Sequence, residues 1–233
     1  MHQHISHQFD AEMENLRNQV MQMGGIIEQQ IGNAVKSLQE LNIEQAEKVI
    51  KKDHQVNALE VTIDEECTRI LARRQPAASD LRMVIAVIKT ITDLERIGDE
   101  AARIGRMAVH LSEADGKFRK RYSGIKHLAD QVQRQVHNAL DSFARLDVDT
   151  AFSVVKDDEE TDDDYQSLIR QLITYMMEDP RCISEVLDML WTARSLERIG
   201  DHAKNICEYV IYLVKGKDIR HTDINAVGKG LLT

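Results

Sequence analysis

Aromatic residues make up only 4% of this 233-residue chain, and it contains just two prolines, Pro76 and Pro180. Alternating apolar runs bounded by Gly, Asn or Pro turns are scarce, which argues against strands and for helices throughout. Long apolar runs are lacking as well: the stretch Met83 to Ile91 is interrupted by Lys89 and followed by Asp93, well short of the roughly 20 apolar residues that span a bilayer. No Lys/Arg-rich block of the kind that tracks a phosphate backbone occurs, and the 39 acidic against 30 basic residues leave a net charge of −9. That distribution excludes nucleic acid as a partner. The polar, His-rich start, Met1 to Asp10, fits neither a signal nor a transit peptide, so a cytoplasmic location is expected.

Cysteine is sparse too. Cys67, Cys182 and Cys207 lie far apart and outside any C-x-x-C spacing, as buried helical thiols of a reducing compartment would. His2, His4 and His7 are read as a frayed terminus rather than a metal grip. There is no nucleophile with a positioned base, no Gly-rich phosphate loop and no zinc motif. The Glu-x-x-His pairs of di-iron carboxylate bundles are also missing.

What the chain does have is an internal repeat. Ile31-Gly-Asn-Ala-Val-Lys-Ser-Leu-Gln-Glu-Leu41 lies over Val136-His-Asn-Ala-Leu-Asp-Ser-Phe-Ala-Arg-Leu146 at an offset of 105, which also sets Lys51 on Lys156 and Asp53 on Asp158. Farther on, Leu94-Glu-Arg-Ile-Gly-Asp99 recurs letter for letter as Leu196-Glu-Arg-Ile-Gly-Asp201 at an offset of 102. The second copy has therefore lost three residues, and the loss falls at the turn, where Gln75-Pro-Ala-Ala-Ser79 faces Glu178-Asp-Pro-Arg181. Proline stops or starts a helix because it lacks an N–H and clashes with the preceding turn.

Apolar residues spaced by three and four then predict helices at about 9–41, 43–74, 79–112, 118–146, 149–177 and 183–215. Ser79 and Asp149 are the expected N-caps. Long helices with short connections pack antiparallel, so the expected fold is all-α: two tandem antiparallel three-helix bundles, residues 1–115 and 116–217, with Glu113 to Gly116 linking them and a loose tail over 218–233.

Each copy carries a small acidic cluster. Glu95 and Asp99, like Glu197 and Asp201, are four apart, a spacing at which like charges cost an isolated helix about 0.2–0.5 kcal/mol. Gly98 and Gly200 sit between them inside helices, where Gly costs about 1 kcal/mol relative to Ala, and imply a close approach to the backbone. The acids continue the apolar rows Val84, Ile88, Ile91 and Val186, Leu190, Ala193, so they face a neighbouring helix. Counting through the turns identifies that neighbour: Asp53 lies 24 residues before Ala77 and Asp99 lies 22 after it, so an antiparallel hairpin sets the two nearly level. The same count levels Asn57 with Glu95, Asp158 with Asp201, and Asp162 with Glu197.

The first candidate site is therefore Asp53, Asn57, Glu95 and Asp99, and the second is Asp158, Asp162, Glu197 and Asp201. Glu60 and Asp64 extend the first face, but their counterparts Tyr165 and Ile169 are not acidic, and they are left outside. Carboxylates gathered this closely need a counter-charge. A hard cation such as magnesium, manganese, calcium or iron suits all-oxygen donors better than zinc does. Spacing equally allows a metal-free surface in which Arg96, Arg103, Arg198 and Lys204 neutralise the acids. His202, next to Asp201, is read as a polar surface residue rather than a ligand.

The duplicated Leu-Glu-Arg-Ile-Gly-Asp, the turn Gln75-Pro-Ala-Ala-Ser-Asp-Leu-Arg82 and the stretch Tyr175-Met-Met-Glu-Asp-Pro-Arg181 resemble the PhoU family of phosphate-specific transport accessory proteins, from about His7 to His221. The resemblance implies a non-enzymatic cytoplasmic homodimer, a negative regulator of the phosphate regulon that couples the phosphate ABC transporter, through its ATPase subunit, to a membrane sensor histidine kinase. Membrane contact would be only indirect, through these partners. It also implies metal clusters on E/D-x-x-x-D pairs, carried here by Glu95 with Asp99, Asp53 with Asn57, Glu197 with Asp201, and Asp158 with Asp162. Iron, manganese, magnesium, zinc or another divalent ion is the implied cofactor. Asn57 departs from the acidic pattern and lowers the charge of the first site. The alternative reading is a carboxylate-bridged metal store or metalloenzyme.

Overall fold

The computed structural model describes residues 2–112 and 123–220. Six α-helices follow one another: α1 (His2–Glu40), α2 (Ile43–Arg74), α3 (Ser79–Ser112), α4 (Ser123–Arg145), α5 (Val148–Glu178) and α6 (Ile183–Lys215), with a short 3-10 turn at Pro180–Cys182. The described helices match the expected spans to within a few residues, except that α1 starts earlier. The start expected for α4 at 118, the linker 113–116 and the far tail lie outside the described residues.

The repeat extends into the backbone of the loops. Leu41 and Leu146 both adopt left-handed conformations, with φ of 53° and 54°. The amides that follow close back on the preceding helix, Asn42 N to Ser37 O at 2.9 Å and Asp147 N to Ser142 O at 3.0 Å. Asn42 then caps α2, its Oδ1 accepting from Gln45 N at 3.0 Å, and Asp147 caps α5, accepting from Asp149 N at 3.0 Å and Thr150 N at 3.2 Å. The cap expected at Asp149 is thus two residues too late: Asp147 is the residue held in extended backbone, where a side chain can reach the free amides of the first turn. Ser79 is not a cap either. The carbonyl of Ala78 accepts the first helical bond, from Arg82 N at 3.1 Å, and Ser79 Oγ lies 3.5 Å from Asp80 Oδ1.

Each half is an antiparallel three-helix bundle, but the two share one core. Helices α3 and α6 pack on each other as the central pair, and α1 also touches α4. The buried cluster runs unbroken from Leu16, Ile27 and Leu94 through Phe143, Leu196 and Ile211. Burying each such side chain contributes about 1.5–3 kcal/mol. Small residues on the central helices, among them Ala101 and Ala102 on α3 and Ala193 and Ala203 on α6, let them approach. At Gly24 an added Cβ would lie 2.5 Å from Leu140 Cδ2, so α1 and α4 also meet closely. Arg17 donates across the same junction to Ala144 O at 2.6 Å. Ile219, in the segment expected to be loose, is only 2% exposed and belongs to the core, which anchors the chain up to Arg220.

Polar contacts cross the α3–α6 junction too. Arg198 reaches Glu100 at 2.9 Å, and Arg103 approaches the same carboxylate at 3.5 Å. Glu100 is 4% exposed, and a buried carboxylate robbed of its partner is strongly destabilising. Because Arg103 remains, Arg198→Met is expected to cost about 1–3 kcal/mol in urea unfolding. Adding Glu100→Gln should recover most of that loss. A double variant no more stable than the single one would show that Arg198 acts through packing rather than charge.

Candidate metal centres

Of the positions that counting placed level on the antiparallel hairpins α2–α3 and α5–α6, Asp162, Glu197 and Asp201 converge most closely. In the first cluster the carboxyl of Asp53 is pushed above the usual range by burial and by the charge of Asp99, partly offset by the Gln30 amide. Glu95 is raised by burial, then by Asp99 and Glu60, against Arg96. Asp53 Oδ1 and Asn57 Oδ1 are buried without a hydrogen-bond partner.

Glu60, set aside on repeat symmetry, borders this cluster closely enough to feel its charge. Its carboxyl is raised by burial, with Asp64 and Asp99 adding to the rise and Thr92 opposing it. The clue was its own spacing along α2; the non-acidic counterpart Tyr165 concealed it, because the two halves have diverged in their side chains while keeping their backbone.

Gly98 has the role expected of a close approach. A Cβ there would meet Val56 Cγ1 at 3.3 Å, Asp53 Oδ1 at 3.4 Å and Gln30 Oε1 at 3.5 Å. Gln30 is fully buried and donates from Nε2 to Val49 O and Gly98 O, each at 3.3 Å. This amide ties α1 to both helices of the site. At Gly200 the equivalent Cβ would lie 3.0 Å from Gln135 Oε1 and 3.8 Å from Asp158 Oδ1, and Gln135 donates to Thr161 Oγ1 at 2.9 Å.

In the second cluster Asp162, Glu197 and Asp201 each offer a carboxylate oxygen, all within 4.8 Å of one another. Burial raises all three carboxyls: Asp158 and Asp201 add to the rise at Asp162, Asp201 does so at Glu197, and Asp158 at Asp201. Asp158 is 2% exposed and its Oδ2 accepts from Lys204 Nζ at 2.8 Å. Arg194 reaches Glu197 Oε1 at 2.5 Å, while Glu197 Oε2 is buried with no partner.

The neutralisation suggested by spacing is thus partly realised. Lys204 does meet an acid of the cluster, but Arg198 and Arg103 turn to Glu100 instead. His202 is not a surface residue: its side chain is 12% exposed, and its Nδ1 lies 2.7 Å from Asp93 Oδ1, which also accepts from Asn205 Nδ2 at 3.0 Å. It points across to α3 because a ring directly after Asp201 sits about 100° around the helix from it. The three cysteines are free and buried, and burial pushes the thiols of Cys67 and Cys207 up to about 12.

Oxygen atoms buried without donors, beside carboxyls whose charged forms burial disfavours, are the environment a cation relieves. The all-oxygen donor set suits a hard divalent ion. The second half fits one through Asp162, Glu197 and Asp201, with Asp158 beside them; in the first half Asp53, Asn57, Glu95 and Asp99 supply the same kind of donors, but among the described residues their carboxylates do not converge as those three do.

Comparison with known proteins agrees with this architecture. The PhoU domain matches residues 20–108 and 125–210, one copy in each half. The chain belongs to the PhoU family. It is 53% identical over 218 residues to the phosphate-specific transport system accessory protein PhoU homolog of Pseudomonas aeruginosa, covering 94% of this chain and 90% of that one. To PhoU of Escherichia coli K12 it is 46% identical over 225 residues, 95% and 91% of the two chains. The crystal structure of PhoU from P. aeruginosa superposes with a TM-score of 0.87 at 52% identity, over 90% of this chain and all of that one. The phosphate transport system regulatory protein PhoU of Streptococcus pneumoniae follows at 0.83 and 29%, over 90% and 98%. These PhoU relatives are named for an accessory or regulatory role rather than for catalysis, in line with the non-enzymatic expectation. Among the described residues no helix is long and apolar enough to cross a membrane.

Proposed function

We propose that this protein is a non-enzymatic, cytoplasmic regulator of phosphate uptake and of the phosphate-starvation response. It acts as a homodimer that couples the ATPase subunit of a phosphate ABC transporter to a sensor histidine kinase and represses signalling when phosphate is plentiful, meeting the membrane only through these partners. The reading rests on near full-length similarity to accessory proteins of phosphate-specific transport.

An exposed apolar row at the α5–α6 turn offers a docking face for such a partner. Ile183, Leu187 and Trp191 are four apart on α6, and Ile173 and Met177 come level with Leu187 and Ile183 across the turn. Met177 is 80% exposed and Trp191 55%. Contiguous exposed apolar surface of this kind marks interaction sites, and large aromatics in such patches carry much of the binding energy. At the offset of 102 the first hairpin keeps apolar Leu81 and Ile85 opposite Ile183 and Leu187 but has Lys89 opposite Trp191, so the aromatic anchor is a property of the second repeat.

Deleting the gene is expected to make phosphate-scavenging genes constitutive in high phosphate, whereas a defect confined to metal handling would favour the alternative of a carboxylate-bridged metal store. Trp191→Ser should weaken binding to the transporter ATPase subunit by about 10-fold or more, consistent with a hot-spot loss above roughly 1.4 kcal/mol. Unchanged binding would place the docking face elsewhere.

The acidic clusters give the regulator a second input. When a cation binds, it supplies the positive charge that these carboxylates lack. The residues themselves position that charge between α2 and α3 and between α5 and α6, bracing each hairpin.

A further inference from the structure

The two clusters are related by the repeat but are not equivalent: Asn57 stands opposite Asp162, Thr92 opposite Arg194, which pairs with Glu197, and Lys204 is the difference that bears on the deepest acid, Asp158. At the offset of 102 the counterpart of Lys204 in the first half is Ala102. Asp53, the counterpart of Asp158, consequently has no lysine, and its Oδ1 is buried without a hydrogen-bond partner. In the second half Lys204 Nζ sits 2.8 Å from Asp158 Oδ2, with side chains 35% and 3% exposed. A protonated lysine here does for Asp158 what a bound cation would do, since a carboxylate so deeply buried is costly without a counter-charge.

The surroundings also hold unused acceptors. Gln135 is 6% exposed, and its Oε1, with no hydrogen-bond partner, faces Gly200 beside Asp158. Glu197 Oε2 is unpartnered in the same way. Asp162, Glu197 and Asp201 converge within 4.8 Å without Asp158. Resting on the metal-binding reading above, we propose that Lys204 is the built-in counter-cation of the second cluster, competing with a divalent ion for Asp158. That cluster then takes a metal through Asp162, Glu197 and Asp201 alone, while the first cluster, with Ala102 in the equivalent place, has no such competitor.

The experiment is Mn²⁺ titration by calorimetry of the full chain carrying Glu95→Gln and Asp99→Asn, which silences the first cluster, with and without Lys204→Met. Removing the lysine is expected to tighten Mn²⁺ binding at least tenfold. The same substitution should lower the thermal midpoint without metal and let Mn²⁺ restore it, because Asp158 is left unpaired until an ion arrives. Lys204→Arg should keep the parental affinity. Adding Asp158→Asn to Lys204→Met should restore metal-free stability and abolish the gain, which guards against a misfolded single variant. Equal Mn²⁺ affinity with and without Lys204 overturns the proposal while leaving metal binding intact. Absence of Mn²⁺ binding in the unmodified chain as well as in every variant removes the metal reading itself, and this inference with it.

Discussion

Glu208→Gln is expected to stabilise the protein at pH 8 by up to about 3 kcal/mol and to flatten its stability profile between pH 5 and 8. Glu208 lies on α6, 7% exposed, and burial raises its carboxyl from 4.5 to about 7, with Asp218 and Asp158 adding to the rise and Lys204 and Arg220 opposing it. A raised carboxyl works against the charged folded state. Between about pH 4.5 and 7 the folded chain keeps a proton that the unfolded chain has released, so stability increases as pH falls through that window and is lost as pH rises through about 7. Glutamine has nearly the same shape and no charge to bury, so the variant loses this dependence. Urea unfolding at pH 5, 6, 7 and 8 measures it, and parallel profiles for parent and variant would show that Glu208 titrates normally.

The second large effect concerns both clusters at once. A variant carrying Glu95→Gln, Asp99→Asn, Glu197→Gln and Asp201→Asn is expected to be more stable than the parent at pH 7.5 without metal, because burial and mutual repulsion already hold Glu95, Glu197 and Asp201 above their ordinary range. Metal should reverse the order. At Mn²⁺ about 100-fold above its dissociation constant the parent gains about 2.7 kcal/mol per occupied site, each kcal/mol raising the midpoint by about 2–4 °C for a chain of this size. The variant should gain nothing, and elemental analysis of the two purified proteins should find metal on the parent alone. Identical Mn²⁺ shifts would mean that the ion binds elsewhere and that the clusters are salt-bridged surfaces.

The candidate clusters could be drawn before any coordinates. The offsets of 105 and 102 placed eight residues in two groups of four, and the antiparallel count brought α2 level with α3 and α5 level with α6. A helix advances 1.5 Å per residue whatever its side chains, so register along a hairpin follows from counting. Glu60, which borders the first cluster, was set aside for the opposite reason. Repeat symmetry constrains the backbone, as the matching left-handed Leu41 and Leu146 demonstrate, but it does not oblige both copies to keep the same side chain.

By itself the sequence determined the all-helical class, the duplication, the helix spans and the level of each acid along its hairpin, since all of these follow from periodicity within a segment and from chain connectivity. Only the tertiary structure decided that α3 and α6 fuse the two bundles into one core, that His202 and Arg198 reach across to Asp93 and Glu100, and that Lys204 is committed to Asp158. A long charged side chain reaches several candidate partners from one helical position. The choice among them depends on which carboxylate the packing of a distant helix has buried, and local spacing carries no record of that.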